Sequence, residues 1–392
     1  MTGYMANLAR HIQPSCGSSG CPQPGTLKGM RLVLATPLYP PESGGPATYS
    51  ALLETLLPKE GVEVVLVKFG EVRHLPKLLR HWAYYRRVRL ALRSADAVLA
   101  LDPVSVGLPA YWAATREGKP LYVKVVGDYA WEQGRQRFGI TDTLDAFVRR
   151  HRVPLPVRML RIIQVRVASA ARAVIVPSFY MQGIVAAWGM PPQKIHVLYN
   201  AARDLSPRAS YARPDIGPYI VSVSRLVPWK GFAGVIRAMR ILAETDEALT
   251  LVIIGDGPER QRLLALTRTC GLTGRVLFTG PLPQEEVPAY IAHADAFVLN
   301  TSYEGFSHLI LEAFSLGTPV VTTAVGGNVE QVTDGETGLI VPVDDDAAIA
   351  DAVLRLRNDP ALRERLAAGA REKLAAFSQG TLVRQLLEVI RP

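Results

Sequence analysis

The sequence predicts an α/β protein made of two doubly wound domains that face each other across a cleft. Three observations predict it. From Met30 onward, short runs rich in Val, Ile and Leu alternate with helical patterns. The alternating set occurs twice. Between the sets lies a stretch, 201–217, that holds Pro207, Pro214 and Gly217 and has little apolar content. Strands apolar on both faces and separated by helices belong to buried parallel sheets, and two successive sets imply two such sheets.

In the first half the strand patterns fall at 31–36 (RLVLAT), 62–67, 97–101, 121–126, 173–177 and 194–198. In the second half they fall at 219–223, 249–254, 275–278, 296–299, 319–322 and 338–341, with helical patterns at 231–244, 258–269, 284–293, 308–316, 346–357 and 360–375. A last segment, 378–391, is amphipathic through Leu382, Leu386, Leu387 and Ile390. The division that follows is a leader at 1–29, a first domain at 30–205, a second at 206–376 and a terminal helix, 377–392, packing across the domains. The leader carries Pro14, Gly17, Gly20, Pro22, Pro24 and Gly25 with no periodicity and reads as disordered. It lacks the apolar core of about 7–15 residues that a signal peptide needs. Met30 stands directly before the first strand pattern and offers a second start.

A length of 392 residues fits two domains, and 48% hydrophobic with 20% charged residues is ordinary for large cores. No apolar run reaches the roughly 18 residues of a membrane span. Three cysteines, Cys16, Cys21 and Cys270, form no disulfide framework and no zinc spacing, which points to a reducing compartment. The net charge of +9 calls for an anionic partner: lipid head groups, nucleic acid or phosphorylated ligands. No recognition-helix, RNP-like or KH-like pattern is present, which argues against nucleic acid.

The loops after the strands carry the chemistry. After the first strand, Gly44-Gly45 precedes an apolar helix at 46–57, so backbone can approach a phosphate at a helix N-terminus. The dinucleotide fingerprint G-x-G-x-x-G is absent there, so no nicotinamide cofactor is expected. After the first strand of the second set comes Arg225-Leu226-Val227-Pro228-Trp229-Lys230-Gly231, two cations five residues apart at a helix start, suited to a diphosphate. Next is Glu304-Gly305-Phe306-Ser307-His308-Leu309-Ile310-Leu311-Glu312. Ser307 reads as an N-cap and Gly317 as a stop, so the two acids flank the amides of a helix start and span about 12 Å at about 1.5 Å per residue. This arrangement would cradle a nucleotide sugar, one acid on sugar hydroxyls, the other on ribose, the amides on the diphosphate. Gly326-Gly327 serves equally well as a donor contact or a turn, and Gly255-Asp256-Gly257-Pro258 reads as a structural turn. Asp128 directly follows the strand 121–126 and is expected to reach the cleft, to bind an acceptor hydroxyl or steady charge on the reacting sugar. The run Asp344-Asp345-Asp346 precedes a helix, so capping explains it and no metal site is expected.

A basic stretch at 73–93 places Arg73, Lys77, Arg80, Tyr84 and Arg87 at helical spacing, with Leu75, Leu78, Leu79 and Trp82 beside them. Arg149, Arg150, Arg152, Arg158, Arg161 and Arg166 follow. The pattern is that of a peripheral surface meeting anionic lipid.

Taken together the motifs resemble glycosyltransferase family 4, within the Rossmann-like GT-B fold. The ordered set R-x4-K-G, G-D-G-P-E, F-T-G, E-G-F-x5-E, G-T-P-V-V and G-G between Ile220 and Pro342 carries the resemblance, with Gly44-Gly45, Pro177-Ser178 and Tyr199-Asn200 matching in the first half. The resemblance implies transfer of a hexose, of mannose or glucose type, with retention and without metal. It implies a GDP- or UDP-linked donor as the substrate in place of any resident cofactor. By matching position, Arg225 and Lys230 would hold the diphosphate, Glu304 the sugar and Glu312 the ribose, with Gly45 at the phosphates. The catalytic set is then Asp128, Arg225, Lys230 and Glu304, and Gly44, Gly45, Gly305, Phe306, Ser307, His308 and Glu312 join Arg225 and Lys230 in binding the donor. Two positions depart from the family: Gly127-Asp128 stands where many relatives have a histidine, and Ser307-His308 where many read G-x. The acceptor expected is a glycan or lipid-linked intermediate of cell-envelope or exopolysaccharide synthesis, met in the cytoplasm or on the inner membrane face. A nucleotide-sugar epimerase of similar fold and a silent donor-binding scaffold are the competing readings.

Overall fold

The structure is a computed structural model that describes residues 29–42, 44–205 and 208–391. The leader at 1–28, with Cys16 and Cys21, lies outside the described residues, as do Ser43, Ser206, Pro207 and Pro392.

The first sheet holds β1 (Arg31–Thr36), β2 (Glu63–Lys68), β3 (Ala97–Ala100), β4 (Leu121–Lys124), β5 (Ala173–Val176) and β6 (Ile195–Val197). They lie in the order β2-β1-β3-β4-β5-β6, every neighbouring pair parallel. Between them run α1 (Gly45–Leu56), α2 (Lys77–Leu92), α3 (Gly107–Glu117), α4 (Tyr129–Arg137), α5 (Leu144–Arg149), α6 (Leu155–Ala170) and α7 (Phe179–Ala187). The second sheet holds β7 (Tyr219–Val223), β8 (Thr250–Ile254), β9 (Val276–Gly280), β10 (Ala296–Leu299), β11 (Val320–Thr323) and β12 (Leu339–Val341), in the order β12-β11-β10-β7-β8-β9 and again all parallel. Its helices are α8 (Phe232–Thr245), α9 (Arg260–Thr269), α10 (Val287–His293), α11 (His308–Leu316), α12 (Asn328–Gln331), α13 (Asp346–Asn358) and α14 (Pro360–Leu374), followed by α15 (Gln379–Ile390).

Alternation along each strand feeds two apolar layers per sheet. In β1, Val33 and Ala35 join the layer under α2, α3 and α6, while Leu32 and Leu34 join the layer under α1. That second layer is completed by Leu382, Val383, Leu386 and Ile390 of α15, which follows the second domain in sequence yet packs on the first. Tyr122 donates to the Ile390 carbonyl at 3.3 Å and fastens the helix end to β4.

The basic stretch folds differently from its expected register. The helix begins at Lys77, so Arg73 lies outside it and pairs with Glu42. Tyr84 turns inward, fully buried, and donates to the Val67 carbonyl at 2.7 Å. Leu79 and Trp82 stand in solvent, more than half exposed.

In a doubly wound sheet the crevice opens where the strand order reverses, at the carboxyl ends of the strands. In the second sheet that point lies between β7 and β10. The Arg225–Lys230 loop leaves β7, and the Glu304 loop leaves β10. Topology alone thus brings the two motifs side by side.

Candidate functional site

The cleft between the domains is a cavity of about 690 Å³. Arg225, Lys230, Glu304, Gly305, Phe306, Ser307, His308 and Glu312 line it from the second domain, and Gly44 and Gly45 from the first. Lys230 Nζ lies 2.5 Å from Glu304 Oε2, with both side chains largely buried. Glu312 sits in the second turn of α11, 4% exposed, and pairs with Arg203 at 3.2 Å. Burial pushes the Glu312 carboxyl above its ordinary range, and the Arg203 guanidinium draws it back. Arg225 forms no ion pair among the described residues and stays available to an anion.

Glycines fix the loops that carry these groups. A Cβ on Gly326 would lie 1.9 Å from the Glu304 carbonyl oxygen, and one on Gly327 would lie 2.2 Å from that of Gly305. The pair acts as a backbone clamp beneath the Glu304 loop; it does not line the cavity. The Gly255–Gly257 turn packs in the same way on Ser224 and Leu226, beneath the Arg225 loop.

The helix start at Ser307 differs from the expected amide nest. Ser307 caps α11, its hydroxyl accepting from Ile310 N at 3.4 Å. Its own amide donates to Gln331 Oε1 at 2.9 Å and is therefore spent. Phe306 packs its ring on Tyr199 and Phe377 and serves the interdomain contact. The first-turn amides of His308 and Leu309 have no partner within a helix, and both residues line the cavity. His308 packs close to Gly45, where a Cβ would meet its ring at 3.5 Å, and its Nδ1 has no hydrogen-bond partner. Burial, with Lys124 and Arg203 nearby, pushes its pKa down to about 3, so it is neutral at physiological pH.

Asp128 does not reach the cleft. It is fully buried within the first domain as the N-cap of α4, accepting from Trp131 N at 2.9 Å and from Trp188 Nε1 at 3.1 Å. The turn after β4 points the capping side chain back along its own helix, so the expected catalytic role finds no geometry. The carboxylate that lines the cavity from this segment is Glu132, one helical turn later. Burial raises its pKa to about 7; Arg225 and Lys230 favour its charge, and Asp128 and Glu304 oppose it. Lys124 at the end of β4 also lines the cavity. It is 1% exposed, donates to Asn200 Oδ1 at 2.8 Å, and lies over the Tyr49 ring. Burial holds it well below its ordinary pKa. A lysine inside an otherwise apolar strand was the available signal for it.

The domains are joined beside the cleft. Ser178 donates to the Gly305 carbonyl at 2.7 Å, and both oxygens of Glu330 accept from the first amides of α7, Phe179 N at 3.0 Å and Tyr180 N at 2.9 Å.

Two six-stranded parallel sheets with a donor-type cleft define the GT-B class of fold. Solved structures of that class superpose over nearly the whole chain. Anabaena HepE in complex with UDP and glucose matches with a TM-score of 0.70 at 20% identity, over 92% of this chain and 99% of that one. Sucrose-phosphate synthase from Thermosynechococcus elongatus matches with a TM-score of 0.72 at 18% identity, over 92% and 98%. The family model for glycosyl transferases group 1 matches residues 206–373, and that for the glycosyl transferase 4-like domain matches residues 28–201. The chain belongs to the group 1 glycosyltransferases of the family-4-like type. Among curated proteins it is similar to the lipopolysaccharide core biosynthesis glycosyltransferase LpsD of Rhizobium meliloti, 37% identical over 49% of this chain and 55% of that protein. It is also similar to the D-inositol 3-phosphate glycosyltransferase of Acidothermus cellulolyticus, 29% identical over 98% and 94%. The matches to LpsD and to LpsE of the same organism span about half the length of those relatives.

Proposed function

We propose that the protein transfers a hexose, of glucose or mannose type, from a UDP- or GDP-linked donor to a glycan or lipid-linked acceptor of cell-envelope or exopolysaccharide synthesis. The observation that carries this reading is the convergence of Arg225, Lys230, Glu304, Glu312 and the first residues of α11 on one cavity faced by Gly44 and Gly45. A bound donor would place its diphosphate on Arg225, Lys230 and the amides of His308 and Leu309, with Glu312 toward the ribose. Sugar hydroxyls would take over Glu304 as phosphate takes over Lys230. The bond from the anomeric carbon to the phosphate oxygen breaks, and a bond from that carbon to the acceptor oxygen forms on the same face. The acceptor proton leaves on the departing diphosphate. The cations and helix amides stabilise the charge growing on that leaving group, so neither a protein nucleophile nor a metal is called for. The relatives it resembles are glycosyltransferases, which does not favour the epimerase reading.

The proposal includes an anionic membrane face on the first domain. Residues 30–205 hold 24 Lys and Arg against 13 Asp and Glu, whereas residues 206–392 hold 18 against 22. Helices α2 and α6, each packed against α3, contain no acidic residue, and the single one of α3, Glu117, pairs with Arg89. Leu79, Trp82, Trp112, Leu155, Met159 and Ile162 are exposed on these three helices, and Arg86 lies over the Trp82 ring at 5.0 Å. Apolar anchors within a basic field suit the interface of an anionic bilayer. Among the described residues no helix is long and apolar enough to cross a membrane.

Calorimetry and hydrolysis over a panel of nucleotide sugars test the donor site. Saturable binding of one donor, weakened by both Lys230→Ala and Glu304→Ala, is expected; absence of binding by the folded protein to any donor overturns the reading. Flotation with phosphatidylglycerol and phosphatidylcholine vesicles tests the surface. Salt-sensitive binding to the anionic vesicles, reduced by Trp82→Ser with Met159→Ser, is expected, and equal partition onto both vesicle types overturns it.

A further inference from the structure

Glu132 is a carboxylate on a cavity wall with no hydrogen bond or ion pair among the described residues. Such a group is costly to keep: a partly buried charge without a partner loses solvation and regains little. Its surroundings explain what it is kept for. Gly127, at the turn before α4, lies beneath two converging polar atoms. A Cβ there would sit 2.5 Å from Glu132 Oε1 and 2.8 Å from Tyr303 Oη. Glycine at 127 is what leaves room for this carboxylate and phenol to stand together. The contact recorded for the phenol is with Met181 Sδ at 3.7 Å, a weak acceptor. Behind the pair, Tyr303 packs against Trp131, which in turn packs against Trp229, so the wall is rigid. In front stand Arg225, Lys230 and Glu304, the groups assigned above to the diphosphate and the sugar. A strong acceptor beside a phenol that both donates and accepts is the pattern that recognises a hydroxyl group.

Resting on the donor-site reading above, we propose that Glu132 is a specificity residue contributed by the first domain. It accepts a hydrogen bond from a hydroxyl of the transferred sugar, on the side away from Glu304, with Tyr303 completing the contact. The second domain then recognises the nucleotide and one edge of the sugar, and the first domain reads the other edge. Donor selectivity among hexoses depends on both domains.

The test separates nucleotide from sugar. Binding of UDP, GDP, UDP-glucose and GDP-mannose is measured by calorimetry at pH 8 on the full chain and on Glu132→Gln, Glu132→Ala and Tyr303→Phe. Unchanged affinity for the nucleoside diphosphate shows that each variant is folded and that its donor cradle is intact. The expected result is that the preferred nucleotide sugar binds on the order of 10- to 100-fold more weakly to Glu132→Gln and Glu132→Ala, the worth of a hydrogen bond to a charged group. A smaller loss is expected for Tyr303→Phe. Nucleotide-sugar affinity and hydrolysis that stay at the level of the unsubstituted chain in all three variants overturn the assignment. Failure of that chain to bind UDP or GDP at all overturns instead the donor-site reading on which it rests.

Discussion

The two domains share an architecture and build their halves of the cleft in opposite ways. In the second domain Arg225, Lys230 and Glu304 ride on two loops, after β7 and β10, held from below by close glycine backbones, and Glu312 sits on the helix that follows the second loop. In the first domain, apart from the Gly44-Gly45 turn, they are single side chains taken from regular elements: Lys124 from a strand end and Glu132 from the first turn of a helix. The clamped half is suited to the invariable part of a donor, its nucleoside diphosphate. The half assembled from single side chains can be altered one residue at a time without disturbing a loop, which suits the variable partners, sugar and acceptor. On the proposed reading, function divides along the line that separates shared backbone geometry from individual side chains.

The contrast can be broken at four points. The largest effect is expected where charge meets the leaving group. Lys230→Ala should lower kcat/KM by about 10²–10³-fold, as removal of a preorganised charge-stabilising donor does, with the fold intact by circular dichroism. Gly327→Ala comes next. Its new methyl would lie 2.2 Å from the Gly305 carbonyl oxygen, backbone against backbone, and should cost about 1–3 kcal/mol in denaturant unfolding while displacing Glu304. Glu132→Gln should move stability the other way. Burial raises the folded pKa of Glu132 from 4.5 to about 7, so between those values the folded protein holds a proton that the unfolded chain has released. The unfavourable contribution is absent below about pH 4, grows through that window and is complete above pH 7. The glutamine variant should therefore be more stable by about 1–2 kcal/mol at pH 8 and no different at pH 4, measured by urea unfolding at both pH values. The smallest effect on turnover belongs to Asp128→Ala: kcat/KM should stay within about threefold because the side chain does not face the cavity, while loss of the helix cap and of the acceptor for Trp188 should cost about 2–3 kcal/mol in urea unfolding.

The same division explains what could be read from the chain. Parallel strands buried on both faces announce themselves as continuous apolar runs, so both sheets were visible from composition alone. Arg225, Lys230, Glu304 and Glu312 were visible because each lies at a fixed offset within a short loop-to-helix motif, and strand order then placed both motifs at one switch point. Glu132 was not visible, because its neighbour Asp128 occupies the strand-end position where a cleft residue is expected. Whether such a residue faces outward or caps its own helix is settled by one backbone turn. The Ser307 amide misled for a related reason: its partner, Gln331, is a side chain 24 positions away. In α2 the helical period was right but the inward face was not: Tyr84, read with the basic stripe, packs inward with Val88 and Leu92, while Leu79 and Trp82 stand in solvent.

The placement of α15 has a consequence for how the protein is made. Leu382, Val383, Leu386 and Ile390 cover one layer of the first sheet, so the domain synthesised first is the one finished last. At about 5–20 residues per second the ribosome needs on the order of ten to forty seconds to travel from the end of the first domain to the helix that completes it. Throughout that interval the part of this layer that α15 closes, beside Tyr122, lacks its cover, while the second domain, whose core is contiguous in sequence, is free to form. Closing the first domain is thereby a report that the second has been translated.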